Sequence, residues 1–328
     1  WILTGNERMK SRPILPLVDA LRSLGANIEY MEKQDYPPLR ITGNSEICKT
    51  QNAVAEIDAG VSSQFVSALM MIAPLFSTGL HISMICTNKV SVPYIQMTAS
   101  LMRSCGVRVE FIDNNNIFAE GRYTAPEHVY VESDWSSASY LYAILALSEH
   151  GGSLRLPHLY EDSVQGDKIV AEWFEDFGIE TVFNDDGAVI TSTGSEGISR
   201  APRFYDFTHH PDIAQTIAVV CAGLGLEACI SGIHSLRHKE TDRISAVCNE
   251  LTRLGAKLEY NAEEDEMHIF EGGFNGEINH ETIRTYGDHR MAMAFASLAA
   301  RYAPVSIENP SVVSKSFPNF WQLFHENL

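Results

Sequence analysis

Leu21-Arg-Ser-Leu-Gly25-Ala-Asn-Ile-Glu-Tyr30 returns three times in altered form: Leu101-Met-Arg-Ser-Cys-Gly106-Val-Arg-Val-Glu-Phe111, Trp173-Phe-Glu-Asp-Phe-Gly178-Ile-Glu-Thr-Val-Phe183 and Leu251-Thr-Arg-Leu-Gly255-Ala-Lys-Leu-Glu-Tyr260. In each copy apolar residues at helical spacing run into a glycine, and an alternating run follows. A glycine there suits a left-handed helix C-cap, which ends the helix and turns the chain into a strand. Polar turns come next, at 35–38, 114–116, 185–187 and 263–266, ahead of a return strand. Each copy therefore reads as a helix followed by a β-hairpin.

A second phrase alternates with the first: a short strand, an Asp, then a helix rich in Ala, Ser and Met. It occurs at Asp58-Ala-Gly-Val-Ser62-Ser63-Gln64, Asp134-Trp-Ser136-Ser137-Ala-Ser, Asp206-Phe-Thr-His-His-Pro-Asp212 and Asp288-His289-Arg290. Combined, the unit is strand, helix, strand, helix, hairpin, recurring about every 75 residues. Such units are longer than most solenoid repeats and mix apolar helices with sheets, which favours compact α/β domains. The expected architecture is a two-domain α/β (α+β) protein holding about four units. A boundary is expected after a strand at 128–131, giving domains over 1–132 and 133–328.

The 328 residues, 45% of them hydrophobic, suffice for a large core and about two domains. The apolar stretches at 65–76 and 217–226 are short or broken by Gly and Ser, against the roughly 20 apolar residues a membrane helix needs. The opening Trp1-Ile-Leu, followed by charged Glu7 and Arg8, does not read as a secretory signal. Cys48, Cys86, Cys105, Cys221, Cys229 and Cys248 are scattered without CxxC or metal-ligand spacing, which points to reduced thiols and a cytoplasmic location. A formal charge of −18 opposes nucleic acid and anionic membranes as partners. A small anionic ligand would instead need local clusters of basic residues. Three stand out: Arg8-Met-Lys10-Ser-Arg12, Arg237-His-Lys239 with Arg243, and Arg290 with Lys315.

Ser62-Ser63-Gln64 begins an apolar helix, where hydroxyls and unpaired N–H groups make an anion site, although plain N-capping explains the serines equally well. His234-Ser-Leu-Arg-His-Lys239-Glu240-Thr241-Asp242-Arg243 is a dense run of ionisable groups between a buried Gly- and Ala-rich stretch and an apolar helix. That is a strand-to-helix corner, where α/β proteins place ligands, and the alternative is a solvated face. Asp288, His289 and Arg290 lead straight into a helix of small and apolar residues, so they require partners or a ligand; an Asp288–Arg290 salt bridge is the simplest arrangement. Asp206 and Asp212, flanking His209 and His210, read as helix caps or catalytic acids. No third ligand stands at a metal-binding spacing from the two histidines.

Asp-x-x-Val-Ser-Ser-Gln-Phe, Lys-Glu-Thr-Asp-Arg and Asp-His-Arg-Met-Ala-Met, in this order, resemble the signatures of the 5-enolpyruvylshikimate-3-phosphate synthase family of enolpyruvyl transferases. The resemblance runs from Leu3-Thr-Gly to Lys315-Ser-Phe-Pro. It implies two domains of βαβαββ units with the active site in the cleft between them. It also implies a transferase of chorismate and aromatic amino-acid biosynthesis. The 5-hydroxyl of shikimate 3-phosphate attacks the central carbon of phosphoenolpyruvate, the methylene carbon is protonated, and phosphate leaves; no metal or organic cofactor is required.

Carried over residue by residue, the resemblance gives shikimate 3-phosphate contacts to Ser62, Ser63, Gln64, Ser91, Tyr94, Asp212, Ser235 and Lys239, with Asn standing at the Ser235 position in many relatives. Phosphoenolpyruvate contacts fall on Arg8, Gln64, Arg243, Arg290 and Lys315. Asp212 matches the base for the 5-hydroxyl, and Glu240 a residue of proton transfer at the methylene carbon. Lys10, Arg12 and Arg237 read as structural or solvated. On this reading the protein is a monomer acting on small molecules, and Arg243→Ala weakens phosphoenolpyruvate use far more than folding.

Members of the family begin upstream of Leu-Thr-Gly with a Lys-Ser pair and an Asn-x-Gly-Thr loop that have no match here. The expectation is therefore an N-terminally truncated chain, with an incomplete first domain and little activity of its own. The sister enzymes acting on UDP-N-acetylglucosamine lack the last two motifs as they stand here. A non-catalytic relative is disfavoured by the intact set of Asp212, Glu240, Arg243, Arg290 and Lys315.

Overall fold

The computed structural model describes residues 1–60, 62–85, 91–194, 197–274, 278, 281–302 and 304–327. Val61 of the serine motif and Cys86 lie outside them. The chain divides into two compact units, Trp1–Tyr130 and Val131–Leu328.

The first unit opens with β1 (Ile2–Leu3), α1 (Glu7–Lys10), α2 (Leu15–Ser23), β2 (Asn27–Tyr30) and β3 (Leu39–Thr42), an antiparallel sheet of order β1-β3-β2. A complete copy follows: β4 (Ala53–Ile57), α3 (Ser63–Ile72), β5 (Leu80–Met84), α4 (Val92–Ser104), β6 (Val107–Phe111) and β7 (Asn116–Gly121). Its sheet order is β4-β5-β7-β6, with β4 and β5 parallel and the hairpin antiparallel to β5. Ala53, Ala55 and Ile57 alternate inward along β4 onto Val66, Leu69 and Met70 of α3, the period-2 and helical stripes that the sequence carries.

The second unit begins with α5 (Trp135–Leu147), β8 (Gly152–Pro157), α6 (Val170–Trp173), β9 (Ile179–Asn184) and β10 (Gly187–Ser192), in sheet order β8-β10-β9. The second complete copy is β11 (Arg203–Asp206), α7 (Ala214–Leu224), β12 (Ala228–Ser231), α8 (Arg243–Arg253), β13 (Leu258–Asn261) and β14 (Glu266–Ile269). It repeats the same pairing: β11 parallel to β12, then the hairpin in order β11-β12-β14-β13. The last stretch holds β15 (Thr282–Ile283), α9 (His289–Ala296), α10 (Ala299–Tyr302), β16 (Ser306–Ile307) and α11 (Phe320–Asn327), with β15 parallel to β16. The two sequence phrases thus overlap across five copies among the described residues. Two are complete, and the last contains the helix phrase without a hairpin.

Gly25, Gly106, Gly178 and Gly255 hold φ of 101°, 83°, 75° and 98°, the left-handed turn that ends each helix. At two of them the Ala26 and Ala256 N–H groups reach back to Leu21 and Leu251 carbonyls, each at 3.0 Å. Arg22 and Arg103, three residues before their glycines, make the same bidentate bond to the carbonyls of Ile28 and Val109 in the following strand. The hairpin phrase is therefore tied together by its own side chain.

One expected strand does not form. Residues 128–131 join no ladder, and Val129, Tyr130 and Val131 are exposed. Their alternation supplies β-propensity, but a strand persists only where an edge accepts it. The chain next engages β8 through Ser133, whose N–H meets the His158 carbonyl at 2.9 Å.

The core of the second unit is built on helices apolar on every face. All eleven residues of α7 are buried, and so are most of α5 and α9. Helix α7 packs against α5, α8 and α9, while α5 rests on β8, β9 and β10. Cys48, Cys105, Cys221, Cys229 and Cys248 carry free thiols. Among the described residues no helix is long and apolar enough to cross a membrane.

Candidate active site

Parallel strands share their carboxyl ends, so the helices that follow them all start at one edge of the sheet, the usual place for a ligand. In the first unit this puts Ser62, Ser63 and Gln64, at the start of α3, at the same end of β4 and β5 as Ser91 and Tyr94, at the start of α4. Ser62 is the N-cap: its Oγ accepts the Gln64 N–H at 3.3 Å, while its own proton can donate outward. Capping and anion binding are therefore compatible. Ser63 is buried, Gln64 exposed. Ser91 is buried in a left-handed conformation, φ 55°, and makes no cap bond. Arg8 stands exposed on α1, and neighbouring Lys10 lies 3.7 Å from Glu7 and 3.6 Å from Glu32.

The same logic gathers four distant segments in the second unit. Asp212 precedes α7, Lys239 and Glu240 precede Arg243 at the start of α8, Asp288 and Arg290 open α9, and Lys315 ends the turn after β16. Arg243, only 1% exposed, is the centre. Its Nε donates to Asp288 Oδ2 at 2.7 Å, Nη1 to Asp212 Oδ1 at 3.1 Å and Nη2 to Glu240 Oε2 at 2.8 Å. Arg290 donates Nη2 to Asp212 Oδ2 at 3.0 Å and Nη1 to the Asp212 carbonyl at 3.1 Å. Lys239 Nζ lies 3.3 Å from Asp212 Oδ1, and Lys315 Nζ donates to Glu240 Oε1.

The adjacent pair suggested by the sequence is not the one that forms. Asp288, completely buried, caps α9 through the Arg290 N–H at 2.8 Å and gives its charge to Arg243, whereas the Arg290 side chain crosses to Asp212. An N-cap carboxylate faces back along its own helix start, which leaves it turned toward α8. Asp206 is held by the Thr208 N–H at 2.8 Å in a local turn and joins none of these pairs. Arg237 lies over the Tyr260 ring at 5.2 Å.

Lys239, Arg243, Arg290 and Lys315 thus face Asp212, Glu240 and Asp288. Burial would raise the Asp212 carboxyl, but Arg290, Lys239 and Arg243 outweigh it and hold it well below the carboxylate range. Glu240 follows the same balance: burial raises it, and Arg243 and Lys315 bring it down to about 2. His289 is pushed down by burial and by Arg290, and His210 by burial and His209 to about 4. Both histidines are neutral at pH 7. Among the described residues no three His, Cys, Asp or Glu side chains gather as a metal site.

Three further groups escaped the sequence reading. Tyr140, inside α5, accepts Arg290 Nη1 at 3.3 Å through its buried hydroxyl. Asp167 is buried against Ser136, which donates to its Oδ2, and burial with the nearby Asp212 charge raises it to about 6. Ser136 stands in the Asp134 phrase, the one signal that could have drawn attention there. Glu250, on α8, is buried with bonds to Arg253, Arg284 and Tyr286. Ser235 Oγ, by contrast, is buried with no hydrogen-bond partner among the described residues.

The family model for EPSP synthase (3-phosphoshikimate 1-carboxyvinyltransferase) matches residues 1–324. A 3-phosphoshikimate 1-carboxyvinyltransferase of Bacteroides fragilis is 40% identical over 323 residues, covering 97% of this chain and 75% of the relative. That of Haemophilus influenzae (strain PittEE) is 38% identical over 327 residues, 99% of this chain and 72% of the relative. An EPSP synthase structure from Acinetobacter baumannii superposes with a TM-score of 0.75 at 22% identity, covering 99% of this chain and 73% of that one. An enolpyruvyl transferase structure from Streptomyces tendae gives 0.71 at 12% identity, covering 97% and 72%. These likenesses establish the α/β enolpyruvyl transferase fold. With residues 1–324 of its 328 matched by the family model, and with relatives of this identity, the chain belongs to the EPSP synthase (3-phosphoshikimate 1-carboxyvinyltransferase) family.

Proposed function

We infer that the protein transfers the enolpyruvyl group of phosphoenolpyruvate to the 5-hydroxyl of shikimate 3-phosphate with release of phosphate, a step of aromatic amino-acid synthesis. The observation that carries this reading is the cluster of Lys239, Arg243, Arg290 and Lys315 drawn from separate helix starts onto one point of a chain whose net charge is −18. Four cations face three carboxylates, Asp212, Glu240 and Asp288, so positive charge is in excess at this point of an acidic chain, which suits an anionic ligand. Arginine forks suit the carboxylate and phosphate of phosphoenolpyruvate, and we assign these to Arg243 and Arg290 with Lys315 and Arg8. From the matching family motifs we assign shikimate 3-phosphate to Ser62, Ser63, Gln64, Ser91 and Tyr94 at the helix starts of the first unit, and separately to Lys239 and Ser235 of the second; Gln64 is also assigned to phosphoenolpyruvate.

The pairing of the cations gives the acid and base their timing. Without substrate, Asp212 and Glu240 are ionised and occupied by Arg243, Arg290, Lys239 and Lys315. Substrate anions compete for those cations. As the cations turn away, burial dominates and the affinity of both carboxylates for a proton rises. Asp212 then takes the proton from the 5-hydroxyl as its oxygen bonds to the central carbon of phosphoenolpyruvate. Glu240 serves proton transfer at the methylene carbon. Loss of phosphate from the tetrahedral adduct, together with a proton that the methyl carbon returns, restores the double bond, and the released charge lets the cations return. We place the reaction in the cytoplasm and the protein as a monomer, in keeping with its free thiols and acidic charge.

The test is phosphate release by the purified protein. It is expected only when phosphoenolpyruvate and shikimate 3-phosphate are both present, with an enol ether as co-product. Equal release with UDP-N-acetylglucosamine in place of shikimate 3-phosphate would overturn the assignment.

A further inference from the structure

Helix α8 grips the segment that carries Asp288 and Arg290 at two points. At its first residue, Arg243 bonds Asp288. Two helical turns later on the same face, Glu250 reaches the residues just before that Asp. Glu250 Oε1 accepts the Tyr286 hydroxyl at 2.7 Å, and Oε2 accepts the Arg284 backbone N–H at 3.1 Å and Arg253 Nη1 at 2.5 Å. The carboxylate is 1% exposed.

Between the two grips the chain makes a tight turn. Tyr286 and Gly287 hold φ of 54° and 70°, and the Asp288 N–H closes onto the Thr285 carbonyl at 2.9 Å. Glycine adopts positive φ readily. A tyrosine does not, so something outside the turn must hold it there. Among the contacts that do so are the hydroxyl of that same tyrosine and the Arg284 N–H, both ending on Glu250, with Asn249 as a second partner of the hydroxyl.

We propose that Glu250 is a positioning residue of the active site: by fixing Arg284 and Tyr286 it sets the turn that aims Asp288 at Arg243 and Arg290 at its ligand. The proposal rests on the assignment of Arg243 and Arg290 to phosphoenolpyruvate. Glu250 itself faces away from the reacting groups, bonded to the turn and to Arg253, so its influence runs through the backbone of 284–288. A carboxamide in its place fits the same volume. Its NH2 group meets the Tyr286 hydroxyl, which must turn from donor to acceptor, and the negative charge that holds Arg253 and strengthens the bond to the Arg284 N–H is lost.

Glu250→Gln and Tyr286→Phe, made separately in the full chain, test this; the second removes a single hydroxyl and keeps the fold if the first does not. Each is measured for steady-state phosphate release with either substrate varied, and for hydrogen exchange over 284–292. Faster exchange in that segment is expected, with the KM for phosphoenolpyruvate raised about tenfold and that for shikimate 3-phosphate changed less than about twofold. Equal rises in both KM values, or faster exchange with neither KM altered, would reduce Glu250 to a structural residue and overturn the proposal. If the wild type releases no phosphate from the two substrates, the activity assignment fails by itself. Titration with inorganic phosphate then decides the positioning role: variants that bind it as tightly as the wild type overturn it, and weaker binding supports it.

Discussion

Removing Arg243 should cost the protein its fold stability as well as its chemistry, and a second substitution should return the first without the second. Arg243 is 1% exposed and its main partner Asp288 is fully buried, so Arg243→Ala leaves a carboxylate with no compensating charge. Breaking a buried pair from one side costs about 3–5 kcal/mol, a large share of the roughly 5–15 kcal/mol that holds a typical domain together. The sequence alone suggested that this substitution would weaken phosphoenolpyruvate use far more than folding; the buried pairing adds a substantial folding cost. Asp288→Asn in the same background removes the orphaned charge yet keeps an oxygen to cap the Arg290 N–H. The double variant should therefore recover about 2–3 kcal/mol of the loss. Urea unfolding followed by tryptophan fluorescence measures both, with the single variant's midpoint lower by about 1 M or more. Phosphate release should stay lost in both, because the guanidinium assigned to phosphoenolpyruvate is gone. A double variant no more stable than the single one would refute the uncompensated-charge argument. An Arg243→Ala protein within about threefold of wild-type kcat/KM would remove Arg243 from the site.

The carboxylates give two pH signatures of opposite sign. Asp167, raised by burial to about 6 from 3.8, binds a proton more tightly folded than unfolded, so stability falls as pH rises between those values. Asp167→Asn should abolish that slope and gain up to about 3 kcal/mol at pH 7; parallel melting curves for variant and wild type from pH 4 to 7 would contradict it. Glu240 is lowered from 4.5 to about 2, so its pairing stabilises the fold above the first value and is lost as pH falls to the second. Glu240→Gln should be less stable than wild type at pH 7, with the gap closing as pH falls from 4.5 toward 2. A gap independent of pH would mean that the ionised form is not what is stabilised.

Much of the fold was legible because its signals are local. A glycine that must take positive φ, an arginine three residues before it and an alternating run after it specify the hairpin at Gly25 and Gly106 with no knowledge of the rest of the chain. The β-branched and aromatic run at 128–131 pairs with no strand among the described residues, and whether an edge awaits it is something no local pattern encodes. The candidate site was legible as a set of charged motifs at helix starts. Its wiring was not. Asp288 and Arg290 are neighbours in sequence, yet helix geometry sends their side chains to different helices. Tyr140 and Glu250 stand inside helices with no local motif to mark them. Each acquires its meaning from a residue far away in the chain.

The aspartates that open the repeated helices give the fold a way to diversify. Asp134 caps α5 through Ser137, and Asp242 caps α8 through Ser245 at the same offset, while Asp288 caps α9 and also neutralises Arg243. A capping carboxylate is already held by its helix and already at the sheet end where ligands lie. Chemistry can be added to such a scaffold by supplying a counter-charge from another copy, without moving a helix. Copies that keep such a cap thereby hold a dormant functional group, and divergence consists in choosing which of them to wake.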